Sequence, residues 1–182
     1  IELFSENEDY YRYLANFYTD YLNEPEKAIA QYLKLLEVNP KNTDAYNNIG
    51  LIYESDIKNL EKAQEYYFKA IEIDSLYSLG YKNVGDLNFK KEEYLKAIEY
   101  YSKAIELDPN YSVAYYNRGF SKNNLQDYRG AIADYSKAIE LNPNYILAYY
   151  NRGISKADLK DYQGAIADYS KAIKLDPNYS DA

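Results

Sequence analysis

The sequence predicts an all-α solenoid built from antiparallel helix pairs, and three observations lead to this prediction. Residues 112–145 are repeated nearly letter for letter by residues 146–179. Pro109, Pro143 and Pro177 stand 34 residues apart, a period that is typical of a repeat made of two helices. Apolar side chains in the fourth copy fall three and four positions apart, which places them on one helix face. They are Tyr128, Ala131, Ile132, Tyr135, Ala138 and Ile139.

The first two helices are predicted from their end signals. Ser5 and Glu8 have the spacing of a capping box, which predicts a helix over residues 6–22. Pro25 suits the first position of a second helix, which should end before Asn39. The chain opens on isoleucine rather than methionine, so we expect a fragment or a processed form. Its compartment stays open, with the cytoplasm favoured.

The whole chain, residues 1–182, is interpreted as a single solenoid. The first copy has Arg12 and Asn16 where later copies have Tyr and Gly, so its first helix is expected to pack differently. The second copy is one residue longer than the others, and residues 56–59 are the expected place for the insertion. The copies are residues 9–42, 43–77, 78–111, 112–145 and 146–179, with the start of a sixth at 180–182.

The composition excludes several classes of site. The chain has no cysteine and no histidine, which removes disulfides, thiolate metal sites, the usual general base and the commonest metal ligand. No spaced acidic constellation suggests calcium binding or an acid pair. We therefore expect no catalytic residue, no cofactor, no metal site and no enzymatic activity.

The charge and hydropathy patterns restrict the partners. The net charge is −8 and the charges are scattered, whereas a nucleic-acid surface needs clustered Lys and Arg. No apolar run approaches the roughly 18 residues of a membrane-spanning helix. We expect neither nucleic-acid binding nor membrane insertion. The 26 tyrosines suit a thin solenoid, because a tyrosine ring can pack in the core while its hydroxyl reaches a partner or water.

The repeated columns resemble the tetratricopeptide repeat. In the fourth copy they are Tyr115, Gly119, Ala131, Tyr135 and Ala138, and the same residue types recur in the neighbouring copies. The resemblance implies a right-handed superhelix whose concave groove is lined by the first helix of each copy. It also implies a role in holding a partner protein or peptide.

One well-known groove of that family binds C-terminal carboxylates of chaperones through Lys, Asn and Arg residues of three copies. Carried over from the third copy, Lys82 and Asn117 match the pattern. Asp86, Leu147 and Asn151 stand where the family has Asn, Lys and Arg. A carboxylate clamp of this kind is therefore not expected.

The groove-facing columns of the fourth and fifth copies form the candidate partner-binding site, here called the apolar patch. Apolar and aromatic residues with one amide per copy suit a peptide whose backbone is held by Asn. They equally suit packing against one another across the inner curve, and both interpretations stay open. The patch residues are Val113, Tyr116, Asn117, Phe120, Leu147, Tyr150, Asn151 and Ile154. The same columns are polar in the second and third copies, with Asp44, Asn47, Asn48, Lys82, Asn83 and Asp86.

A second column predicts a structural ion pair. Arg118 and Arg152 replace Ile49 and Val84 of earlier copies, and wherever Arg is present the residue before the second-helix tyrosine is aspartate. These aspartates are Asp134 and Asp168. We expect each Arg to pair with the Asp of its own copy.

The sequence favours a non-enzymatic interaction scaffold that binds a protein or peptide segment in its groove. A structural or self-associating spacer array is the alternative, since Ile166, Tyr169 and Ile173 of the last helix should lie partly bare. This would permit end-to-end self-association. A regulatory arm of a larger enzyme is the remaining alternative.

Overall fold

A computed structural model describes residues 7–177, and within that range the chain forms ten α-helices and no strand. This confirms the all-α fold class. The helices are α1 (Glu8–Asp20), α2 (Pro25–Val38), α3 (Thr43–Ser55), α4 (Leu60–Ile73), α5 (Ser78–Lys90), α6 (Tyr94–Leu107), α7 (Ser112–Asn124), α8 (Tyr128–Leu141), α9 (Ile146–Asp158) and α10 (Tyr162–Leu175).

The chain divides between Val84 and Gly85 into two compact units, here called the N-terminal unit and the C-terminal unit. In the N-terminal unit α1 packs on α2, α2 on α3 and α3 on α4. In the C-terminal unit α6 packs on α7, α7 on α8, α8 on α9 and α9 on α10. Within each of these two series every helix contacts the next one in the chain, as expected of stacked helix pairs.

The turns inside the helix pairs have two lengths. Residues 21–24 and 56–59 are turns of four residues, whereas residues 91–93, 125–127 and 159–161 are turns of three. The predicted insertion at 56–59 is confirmed, and the first pair has a turn of the same length. Every turn places one non-glycine residue in the left-handed region two positions before the next helix. These residues are Asn23, Lys58, Glu92, Gln126 and Lys160.

The start of α1 differs from the prediction. The helix begins at Glu8, and its N-cap is Asn7, whose side chain accepts a hydrogen bond from the backbone N–H of Asp9 at 3.0 Å. Ser5, the predicted cap, lies outside the described residues. The Glu8 carboxylate accepts hydrogen bonds from the side-chain amides of Asn39 and Asn42 at 3.0 and 2.8 Å. The predicted start of α2 at Pro25 is confirmed.

The expected alignment of the first copy is shifted by one residue. The starts of α1 and α3 are 35 residues apart, because the first turn is also long. This spacing brings Tyr11 and Ala15, not Arg12 and Asn16, into the aromatic and small positions. Ala15 is fully buried and Tyr11 packs against the same core cluster. The expectation that this helix lacks the small and aromatic residues of the other copies is therefore wrong.

The close approach of paired helices explains why glycine recurs at one position of the copies, here called the glycine column. A Cβ atom on Gly50 would lie 2.5 Å from the Tyr67 ring, and one on Gly119 would lie 3.0 Å from the Tyr135 ring. Both tyrosines are fully buried. The glycine of one helix thus receives the tyrosine ring of the next, which holds the first helices in place and leaves their opposite face available to form a groove.

Candidate functional site

The apolar patch lies on one face of α7 and the matching face of α9. Its residues stand at the first, fourth, fifth and eighth positions of a repeated stretch in each helix, a spacing that aligns side chains along one face. Val113 and Leu147 are 38% and 41% exposed, and the other six side chains are half-buried. The structure therefore brings the patch residues to the surface as two parallel rows on helices that contact each other.

Aromatic rings form a continuous stack on the α7 side of the patch. Phe120 stacks on Tyr116, with ring centroids 6.1 Å apart and an angle of 8° between the planes. The Phe89 ring lies 5.2 Å from Phe120, and the Tyr145 ring lies 4.9 Å from Tyr116. Packing among patch residues is therefore part of their role.

Two members of this stack were missed by the sequence analysis. Phe89 stands four residues after Gly85, which is one helical turn beyond the columns that were considered. Tyr145 directly precedes α9, and in the sequence it marks only the end of a copy. Helical spacing from Gly85 would have found Phe89. The position of the Tyr145 ring depends on the direction of the chain between α8 and α9, which helical spacing does not give.

The patch asparagines are used in contacts between copies. Asn117 donates to the Asp86 carboxylate at 2.9 Å. Asn151 donates to the Tyr116 hydroxyl at 2.9 Å and to the Leu147 carbonyl at 3.1 Å. The asparagines at the same position of the second and third copies, in the N-terminal unit, also form hydrogen bonds to the preceding copy. There Asn48 donates to Tyr32 at 3.1 Å and Asn83 donates to Asn47 at 2.6 Å. This column therefore forms a ladder of hydrogen bonds from each copy to the one before it.

The buried second-helix tyrosines differ in the hydrogen-bond partners of their hydroxyl groups. Tyr32 donates to the Asn16 side chain at 2.6 Å, and Tyr101 donates to Asp86 at 2.7 Å. Tyr67 donates to the Glu54 carboxylate at 2.5 Å. The Tyr135 hydroxyl is buried and has no hydrogen-bond partner among the described residues.

The residue that follows the small position supplies the acceptor in the first and third copies, whereas Tyr67 of the second copy uses Glu54 instead. Asp86 and Asn16 occupy that position in the third and first copies and supply the acceptor oxygen, whereas Phe120 occupies it in the fourth. Burial raises the pKa of the Tyr135 hydroxyl strongly, with further contributions from Tyr116 and Asp134.

Burial also raises the pKa of other tyrosines near the patch. The pKa of Tyr145 and that of Tyr111 rise to about 12, chiefly through burial and then through the charge of Asp86. A raised pKa keeps a tyrosine neutral at physiological pH. These residues therefore provide rings and hydroxyl groups to the surface and are poor candidates for a general base.

Family models match most of the chain. Residues 78–111, 112–145 and 146–179 each match a model described as tetratricopeptide repeat, and these are the predicted third, fourth and fifth copies. Residues 43–75 match a second tetratricopeptide repeat model, and residues 21–56 match a model described as TPR repeat. The chain belongs to the tetratricopeptide repeat family.

Solved structures of similar fold support this assignment. The crystal structure of MamA matches with a TM-score of 0.80 and 25% identity, covering 93% of this chain and 98% of MamA. YrrB, described as a TPR protein with an unusual peptide-binding site, matches with a TM-score of 0.74 and 26% identity, covering 100% of this chain and 92% of YrrB. PilF of Pseudomonas aeruginosa, at 22% identity and a TM-score of 0.82 over 92% of this chain and 76% of PilF, shows the fold alone. No curated protein matches this sequence.

The predicted ion pairs of the tetratricopeptide copies are confirmed. Arg118 makes two hydrogen bonds to the Asp134 carboxylate, at 2.9 and 2.6 Å, and Lys122 lies 2.7 Å from the same carboxylate. Arg118 also donates to Ser102 of the preceding copy at 3.0 Å. Asp134 is 4% exposed. Buried charges need such partners, so this cluster is structural and is not part of the apolar patch.

The fifth tetratricopeptide copy repeats the same cluster. Arg152 binds Asp168 at 2.9 and 2.6 Å, Lys156 lies 2.7 Å from that carboxylate, and Arg152 donates to Ser136 at 2.9 Å. The sequence analysis paired each Arg with its Asp and missed the lysine and the serine. The lysine stands four residues after each arginine, which is one helical turn away and was a readable signal.

The N-terminal unit has a largely polar cavity, and Asn48 is the one residue of the predicted polar columns that lines it. The cavity has a volume of about 390 Å³ and opens between α1 and α3, above the buried ring of Tyr32. Its lining contains hydroxyl groups, amides and two carboxylates, and no basic side chain. The lining residues are Asn16, Thr19, Asp20, Tyr32, Asn48, Leu51, Ile52, Ser55 and Asp56.

The outer face of α10 is apolar and exposed, as predicted. Ile166 and Ile173 are 56% and 44% exposed, and Tyr169 is half-buried. The equivalent residues of α8 are Ile132 and Ile139. Both are half-buried, and α9 of the next helix pair packs on α8.

Residues 7–177 hold no group of three or more acidic, cysteine or histidine side chains that could bind a metal ion. None of the helices in that range is long and apolar enough to span a bilayer.

Proposed function

We propose that this chain is a non-enzymatic interaction scaffold that binds a protein or peptide segment at the apolar patch. The observation that supports the proposal is the pair of matching rows on α7 and α9, in which exposed Val113 and Leu147 stand beside half-buried aromatic rings. Apolar side chains arranged around a few polar groups are the usual composition of a binding surface. The peptide-binding site described for YrrB, a member of the same fold at 26% identity, agrees with this choice.

The chemistry of the patch favours apolar ligand side chains. None of its eight residues carries a charge. The Asn117 and Asn151 amides already donate within the protein, so the ligand would gain mainly from contact with Tyr116, Phe120, Tyr150 and the aliphatic residues. Apolar burial and aromatic contact are the terms that dominate such interfaces.

The proposal is tested with short fluorescein-labelled peptides, measured by fluorescence anisotropy. One set has leucine at every second position for an extended ligand, and another has leucine three and four positions apart for a helical ligand. The variant Tyr116→Ala with Tyr150→Ala should weaken the best-bound peptide by about tenfold or more. Tyr162→Ala is the matched control, because Tyr162 is 61% exposed and lies outside the patch. Equal affinity of wild type and the double variant would contradict the proposal.

A second candidate function is end-to-end self-association through α10. It is favoured by the exposed apolar face that carries Ile166 and Ile173. Sedimentation equilibrium over a concentration series should show dimers of the wild type, and Ile166→Glu with Ile173→Glu should abolish them. A wild type that stays monomeric at every concentration would exclude this function in solution.

A further inference from the structure

The Tyr135 hydroxyl lies buried beneath the apolar patch and has no hydrogen-bond partner within residues 7–177. A buried hydroxyl that makes no hydrogen bond destabilises the folded protein, and such groups are uncommon in native structures. Packing does not require the oxygen atom, since a phenylalanine ring would fill the same space beside Gly119. The hydroxyl therefore needs a separate explanation.

The equivalent tyrosine of the preceding copy indicates where this hydroxyl points. Tyr101 occupies the same place one copy earlier, and its hydroxyl meets the side chain of Asp86 on the groove face. In the fourth copy that position is Phe120. The Tyr135 ring packs against Gly119, directly before Phe120, and lies 5.7 Å from the Tyr116 ring. The hydroxyl is thus directed toward the patch from below, behind the Phe120 and Tyr116 side chains.

The surrounding charges restrict the missing partner to one chemical class. A hydroxyl donor needs an oxygen acceptor, as Tyr32, Tyr67 and Tyr101 have in the first three copies. A carboxylate is disfavoured, because Asp86 already brings a negative charge to this groove and the nearby cations Arg118 and Lys122 are paired with Asp134. A neutral carbonyl oxygen meets the need without adding charge.

We propose that the ligand of the apolar patch provides a neutral carbonyl oxygen, from its backbone or from an Asn or Gln side chain, that accepts a hydrogen bond from Tyr135. The proposal rests on the proposed function, and it requires the Phe120 side chain to turn aside when the ligand binds. An apolar ligand side chain takes the place of the Phe120 ring, and the adjacent carbonyl group reaches the hydroxyl. Tyr135 then sets specificity for a peptide over a purely apolar ligand.

The test measures stability and affinity for Tyr135→Phe, with the best-bound peptide of the panel as probe. Removal of an unpartnered hydroxyl should leave the Tm equal or higher, while affinity for the peptide should fall about five- to tenfold through loss of one hydrogen bond. Tyr101→Phe is the matched control: its hydroxyl is bonded to Asp86, so its Tm should fall. An unchanged affinity of Tyr135→Phe would overturn the proposal and would leave a buried hydroxyl that serves no ligand.

A second measurement locates the carbonyl group on the probe. Each peptide bond of the probe is replaced in turn by a trans-alkene, which keeps the shape and removes the carbonyl oxygen. One replacement should weaken binding to wild type and have no effect on binding to Tyr135→Phe. The probe contains no Asn or Gln, so its carbonyl groups are those of the backbone, and if every replacement affects both proteins equally, the hydrogen bond does not form.

The two proposals fail in different ways. If Tyr116→Ala with Tyr150→Ala binds the probe as well as wild type, the patch is not the binding site and the proposed function fails. If that variant loses affinity and Tyr135→Phe does not, the patch binds the ligand and only the role of Tyr135 fails.

Discussion

The two compact units are built from the same kind of helix pair. They differ in the residues on the groove face and at the position that carries an ion-pairing arginine. In the N-terminal unit the groove face is polar, and the position that is arginine later in the chain holds buried Ile49. In the C-terminal unit the groove face of α7 and α9 is apolar, and Arg118 forms an ion cluster. The comparison teaches that glycine, alanine and tyrosine packing defines the repeat, while groove and ion-pair positions vary without altering it.

The largest effect is expected from breaking the ion cluster. Asp134→Ala should lower the free energy of unfolding by about 3 kcal/mol, because Arg118 and Lys122 would lose their common partner in a largely buried site. Arg118→Ile with Asp134→Tyr copies the Ile49 and Tyr66 arrangement of the N-terminal unit, and it should recover most of the loss. Urea denaturation checks both values. A negligible coupling energy between positions 118 and 134 would show that the ion pair does not matter.

The next effect distinguishes a bonded hydroxyl from an unpartnered one. Tyr67→Phe in the N-terminal unit should cost about 2 kcal/mol, because it removes a buried hydrogen bond to the Glu54 carboxylate. Tyr135→Phe in the C-terminal unit should cost nothing or stabilise. Both changes delete one oxygen atom from a fully buried ring, so they are a matched pair. Equal losses of unfolding free energy would contradict the difference between the units.

A smaller effect tests the glycine column. Gly50→Ala should cost about 1–2 kcal/mol, since the new Cβ atom would stand 2.5 Å from the Tyr67 ring. Gly119→Ala has 3.0 Å to the Tyr135 ring. The helix propensity of alanine, about 1 kcal/mol better than that of glycine, should then offset most of the cost. Thermal unfolding of the two variants should rank Gly50→Ala as the less stable, and the reverse ranking would argue against this account.

The smallest effect concerns the turns. Gln126 and Asn23 both adopt the left-handed conformation, with φ of 62° and 51°. This conformation costs a β-carbon-bearing residue roughly 1 kcal/mol, and less when the residue is asparagine. Gln126→Gly should therefore raise the free energy of unfolding by about 0.5 kcal/mol, whereas Asn23→Gly should leave it unchanged. Chemical denaturation with closely spaced points can resolve the difference. A lower free energy of unfolding for Gln126→Gly would show that the backbone conformation of Gln126 does not destabilise the protein.

The fold was predictable because its signals are local and repeated. The Pro25 helix start could be read from a local end signal, and the insertion at residues 56–59 and the pairing of Arg118 with Asp134 could be read from comparison of copies within the chain. The first helix was misaligned by one residue because the first turn is as long as the second, and its divergent residues hid that length. Tyr11 and Ala15 could be identified only from the observed helix starts.

The sequence predicted which residues of the candidate site share one helix face. It predicted less about the contacts that these residues make. Helical spacing placed Tyr116 and Phe120 on one face, as observed. It did not show that Phe89 and Tyr145 complete the aromatic stack, or that Asn117 and Asn151 are bonded to other residues of the groove. Such contacts join residues about 30 positions apart, and their geometry depends on how one copy stacks on the next.

The sequence by itself determined the repeat, the helix pairs and the family, because periodic apolar residues, glycines and prolines act within a few residues of one another. Only the tertiary structure decided which polar groups found partners. The Tyr101 hydroxyl meets Asp86, while the equivalent hydroxyl of Tyr135 is buried under the apolar patch and meets no partner in the part of the chain that the structure describes. The physical reason is that a hydrogen bond requires two atoms within about 3 Å and in line, and their approach is set by packing between helices.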